Sequence, residues 1–154
     1  MAAWGRRAFV CLMLVVVIAG VTGLLGVHTS TTTASGGDTT LSLRYARIAR
    51  AGQDVPWQVT VTRVGGFKGP VTLAVTGSYF DIFESQGFEP QPSTETRSGG
   101  TLYMSFDPPP GDTLQVAYDA YIQPSSQQGR SGRLSVLENG RPIATTHFTT
   151  TLMP

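Results

Sequence analysis

Strict two-residue alternation of apolar and polar side chains recurs along most of this chain and limits it to strands. Trp57, Val59 and Val61 share one face of a segment whose other face is Gln58, Thr60 and Thr62. Val71, Leu73 and Val75 alternate with Thr72, Ala74 and Thr76, and Leu102, Met104 and Phe106 alternate with Tyr103 and Ser105. The longest such face is Leu114, Val116, Tyr118, Ala120 and Ile122. Side chains of a strand point alternately to its two faces, so this pattern describes half-buried antiparallel strands. No segment after Val27 repeats its apolar residues at helical spacing.

Turn residues separate these segments at Gly65-Gly66, Lys68-Gly69-Pro70, Ser98-Gly99-Gly100, Pro108-Pro109-Pro110-Gly111 and Asn139-Gly140. Asn-Gly tolerates the positive φ angles of a type I′ turn and predicts a hairpin pairing Leu134–Glu138 with the strand from Pro142. Seven or eight short strands with frequent turns predict an all-β, antiparallel two-sheet sandwich over 41–154.

The N-terminus has a different character. Arg6 and Arg7 precede an uncharged apolar run from Ala8 to Val27. That run has about the ~20 residues a helix needs to cross a bilayer, longer than the roughly 7–15 of a cleaved signal. It predicts a transmembrane helix or signal anchor over 8–27, with residues 1–7 cytoplasmic and the C-terminal domain outside. Gly20, Gly23 and Gly26 would let a second helix approach closely. The alternative is secretion after cleavage near Ala34, where Thr32-Thr33-Ala34 resembles a small-residue site. Residues 28–40 are Thr, Ser and Gly with almost no apolar side chain, and predict a flexible stalk.

Composition removes several functions. Cys11 is the only cysteine, so the part beyond the leader holds no disulfide and no thiolate metal site. That part carries nine basic and ten acidic residues, which gives no electrostatic basis for binding nucleic acid.

The segment Val59-Thr60-Val61-Thr62-Arg63-Val64-Gly65-Gly66-Phe67-Lys68-Gly69-Pro70-Val71-Thr72-Leu73-Ala74-Val75 resembles bacterial immunoglobulin-like (Ig-like) domains, many of which carry a strand, a Gly-Phe-x-Gly-Pro turn and a second strand. The resemblance implies an Ig-like β-sandwich that serves as a spacer, adhesion or docking module. Fold alone does not fix the role.

Candidate sites are few. Tyr79, Phe80, Phe83 and Phe88 lie in a stretch without clean alternation, and four rings there cannot all face one side of a strand. They are the candidate interaction patch, for a protein surface or for sugar stacking. The alternative places them in the core. His147 lacks a Gly-x-Ser-x-Gly nucleophile motif and reads as a surface histidine. Asp107, Asp112 and Asp119 match no calcium loop. The Gln- and Ser-rich stretch from Tyr121 to Arg130 reads as a connector or a contact loop. No catalytic residue, cofactor or metal is assigned. Two binding functions remain: a single-pass membrane protein docking a protein partner or membrane complex, and a tethered or secreted module for cell-wall glycan. An enzyme is the third class and has no convergent polar residues to support it.

Overall fold

The computed structural model describes residues 2–21, 26–84 and 87–153. Among the described residues one α-helix, α1 (Ala2–Val21), precedes ten strands. Its uncharged apolar part begins after Arg7, and among the described residues it runs from Ala8 to Val21, about 21 Å at ~1.5 Å per residue. That falls short of the ~30 Å of hydrocarbon in a bilayer. Among the described residues no helix is long and apolar enough to cross a membrane, which overturns the transmembrane helix expected over 8–27. Gly20 lies in the last turn of α1, Gly23 falls outside the described residues, and Gly26 sits in a bend beyond the helix.

The strands are β1 (His28–Gly36), β2 (Thr39–Arg50), β3 (Asp54–Arg63), β4 (Val71–Thr76), β5 (Phe88–Glu89), β6 (Thr94–Ser98), β7 (Thr101–Phe106), β8 (Thr113–Tyr121), β9 (Arg130–Glu138) and β10 (Arg141–Met153). A short 3-10 helix spans Gly77–Ile82. The strands form one continuous sheet in the order β5-β8-β3-β2-β10-β9-β4-β7-β6, with β1 paired to β2. The expected Ig-like sandwich of two separate antiparallel sheets is therefore corrected to a single sheet curled into a half-barrel. The link between its wings is β10. Its first part runs antiparallel to β9, and Thr151–Met153 then run parallel to Ile48–Arg50 of β2. Polar residues dominate this strand, so no apolar pattern announces its double pairing.

The alternation does place the core. Trp57, Val59 and Val61 of β3, Leu73 and Val75 of β4 and Met104 of β7 are fully buried. Leu114, Val116, Tyr118 and Ala120 of β8 join them in one cluster that draws on both wings. Each aliphatic side chain so buried contributes roughly 1.5–3 kcal/mol. The Asn139-Gly140 turn forms as expected, with φ of 51° and 74°, and sets Arg141 opposite Glu138. The connection through Gly65-Gly66-Phe67-Lys68-Gly69-Pro70 does not join neighbours. It carries the chain from β3 in one wing to β4 in the other.

Residues 28–36 are a strand and not the expected stalk. Threonine is β-branched and suits a pleated backbone, and β2 supplies the ladder, so β1 needs no large apolar side chains of its own. Its side chains alternate between half-buried and exposed. Thr32 and Thr146 share a hydroxyl hydrogen bond of 2.6 Å, which ties β1 across to β10. Ala34 stands opposite Leu41, so cleavage there would cut a paired strand.

A buried polar relay fastens the wings inside. Thr150 Oγ1 donates to the Ala46 carbonyl at 2.6 Å, so its single proton is committed and Tyr79 must donate to it, at 2.8 Å. Burial pushes the Tyr79 phenol well above its usual range and keeps it a donor.

Candidate functional site

β5 and β6 are the two terminal strands of the curled sheet, and residues 90–93 link one to the other. The seam between them is an open cleft of about 350 Å3. Phe80, Phe88, Leu102 and Tyr118 give it an apolar floor, while Gln91, Pro92, Glu95 and Arg97 form its rim.

Two of the four predicted aromatics, Phe80 and Phe88, lie in the floor, and Tyr79 and Phe83 pack in the core beside it. Phe80 stands edge-on to Trp57 at 5.3 Å and to Phe88 at 5.5 Å between ring centroids. Tyr79 packs edge-on against Phe148 at 4.6 Å, and Phe83 lies 5.9 Å from Tyr118. Such edge-to-face pairs contribute beyond the area they bury. Tyr79, Phe80, Phe83 and Phe88 thus come together and are at most 9% exposed, so of the two expectations the core placement is the one found and the exposed patch is not. The physical reason is the 3-10 helix. Its three residues per turn, wedged between the wings, let Tyr79, Phe80 and Ile82 all bury, which a strand could not do. The polar loop after β8 holds this helix in place: Gln123 Nε2 donates to the Phe83 carbonyl at 2.7 Å and Ser126 Oγ to the Ile82 carbonyl at 3.2 Å. Beneath the floor, the Trp57 Nε1–H is buried without a hydrogen-bond partner.

The rim belongs to β6, whose residues are all exposed. The Gly99-Gly100 turn has φ of 56° and 78° at its two central residues and sets Ser98 opposite Thr101. In a two-residue hairpin of this kind the flanking residues exchange both backbone bonds, and the alternation repeats at Thr96 opposite Tyr103. Glu95 and Arg97 therefore direct their N–H and C=O groups away from β7, at an edge where no strand follows. Their side chains lie on the face of buried Met104 and Leu102, towards the cleft. Among the described residues neither takes part in an ion pair. The sequence reading passed over both. Thr94-Glu95-Thr96-Arg97 between Pro92 and Gly99 reads at most as a short polar strand, with nothing to mark it as an edge.

A second cleft, about 620 Å3, opens at one end of the curl beside Phe67, Lys68 and Tyr103. Arg63 closes it by pairing with both Asp38 and Glu138, and so joins the end of β3, the β1–β2 turn and the β9–β10 hairpin. The hydrogen bond from Arg63 holds the Asp38 carboxyl below its usual range, and the bond to Glu138, then that to Asp38, raises the Arg63 guanidinium. A lowered carboxyl contributes stability above its unfolded pKa and loses it as pH falls through the folded one. We expect a modest fall in melting temperature on acidification from about pH 6 to about pH 2. Part of that fall should vanish in Arg63→Ala, and an identical acid profile for the variant would show that the contact carries no stability.

The remaining candidates stay apart. His147 is exposed on β10 opposite Arg133. Asp112 accepts a hydrogen bond from the Thr113 hydroxyl at 3.0 Å, and Asp119 stands opposite Pro56. No three His, Cys, Asp or Glu side chains among the described residues are grouped as metal ligands would be.

No family model matches the chain. No curated protein matches it by sequence. Among solved structures it is similar to the Pseudomonas fluorescens alkylpurine DNA glycosylase AlkC, bound to DNA containing an abasic site analog, at a TM-score of 0.32 and 12% identity. The match covers 83% of this chain, which spans 32% of that protein. A likeness of this degree assigns neither fold family nor function.

Proposed function

We propose that this chain is a non-enzymatic binding protein that docks a protein partner by adding an extended segment of it to β6. The observation that carries the reading is the β6 edge: five exposed residues, no strand beyond them among the described residues, and the backbone groups of Glu95 and Arg97 turned outward beside an apolar-floored cleft. Strand addition of this kind takes affinity from main-chain hydrogen bonds and selectivity from a neighbouring pocket. The basic-then-apolar N-terminus supports a site of action outside the cytoplasm. Sugar stacking loses its residues, because the rings it needs are buried.

Selection of a displayed library of extended peptides on the purified protein tests this. Proline at position 95 removes an outward N–H while leaving the β7 ladder intact. Enriched peptides should bind Glu95→Pro at least about tenfold more weakly than they bind Glu95→Gln. Failure to enrich any peptide, or equal binding to both variants, overturns the reading.

A further inference from the structure

We propose that the segment added to β6 is β6 of a second copy of this chain, laid antiparallel about a two-fold axis through Thr96. This rests on the docking reading of the edge and names its partner. Two features of the strand select that register independently.

The first is the backbone. Outward N–H and C=O groups lie at Glu95 and Arg97, so a paired copy must set these positions opposite one another to form a ladder. Three registers do so with useful overlap. One places Glu95 opposite Glu95, one places Arg97 opposite Arg97, and one places Glu95 opposite Arg97 on both sides of the axis.

The second is charge. The first two registers set like charges directly across from each other, which destabilises a strand pair. The third makes two opposite-charge pairs and also has the longest overlap, with Thr94 opposite Ser98 at each end. A two-fold interface requires this kind of self-complementarity, residue i meeting j and j meeting i. Glu95 and Arg97 have no other ion-pair partner among the described residues, and both are exposed. Their side chains share the cleft face of the sheet, so the pairs would bridge the rims of two neighbouring clefts.

The test is sedimentation equilibrium of the full chain at low salt, at concentrations rising to about 1 mM, since a five-residue edge is a small interface. We expect a reversible dimer. Glu95→Arg and Arg97→Glu should each weaken it at least about tenfold by creating like-charge pairs. An equimolar mixture of the two variants should recover a heterodimer, and the double exchange E95R/R97E should recover the homodimer. Recovery also shows that the single variants are folded. A wild-type chain that stays monomeric at every concentration, or a dimer indifferent to these charges, overturns the proposal. If the wild type stays monomeric while peptides selected on it are lost with Glu95→Pro, self-pairing fails and docking of another protein stands. If the peptide selection fails as well, both fall.

Discussion

Trp57→Ala is expected to cost about 3–5 kcal/mol, a large share of the roughly 5–15 kcal/mol that holds a domain folded. The side chain is fully buried on β3, and its indole meets Phe80, Phe88 and Tyr118 at centroid distances of 5.3, 6.0 and 6.4 Å. Removing it opens a cavity under the floor of the seam, where the indole packs against Phe80 of the 3-10 helix. Trp57→Phe should lose less than half as much. It keeps a ring in the cluster and removes an N–H that is desolvated without an acceptor, a group that itself costs about 1–3 kcal/mol. Urea unfolding followed by circular dichroism measures both, because the tryptophan cannot serve as its own probe. Equal losses for the two variants would mean that the packing of the whole indole, and not the aromatic contact alone, sets the stability.

The second large effect is expected at Gly36→Val. A β-carbon at Gly36 would run into the carbonyl of Ile143 in β10, so at this position β1 closes on β10 with no room for a side chain. Overpacking costs typically about 1–3 kcal/mol, and the obstacle here is backbone that cannot rotate away. We expect the upper end of that range, with a local signature. Hydrogen exchange should show β1 amides losing protection while the β3–β8 ladder keeps it. Wild-type protection across 28–36 in the variant would refute the placement of β1 against β10.

These two sites mark where the sequence was legible and where it was not. Trp57, Val59 and Val61 announced their strand and its inner face, because burial on one side imposes a period that needs no knowledge of neighbours. Asn139-Gly140 announced its hairpin for an equally local reason, the positive φ angles both residues adopt. β1 was illegible because its burial is lent by β2 and β10. Thr, Ser and Gly in a row look the same whether free or laddered. The leader was legible as an apolar run to Val27, of which the described helix α1 takes in Ala8 to Val21. The four aromatics were grouped correctly but read as one strand, when Tyr79 and Phe80 lie in a 3-10 helix, Phe83 just after it and Phe88 in β5. Glu95 and Arg97 carry no pattern that distinguishes an edge from any polar strand, since the edge is defined by what stands next to it.

Joining the wings through Thr151–Met153 has a consequence for synthesis. These residues pair with Ile48–Arg50, about a hundred positions earlier in the chain. Hairpins such as β6–β7 and β9–β10 can close as they emerge from the ribosome, but the step that ties the two wings waits until Met153 has cleared the exit tunnel. Such distant pairings are slow to form. A nascent chain stalled before that point would hold two unjoined half-sheets with open edges, and would depend on chaperones for as long as the stall lasted.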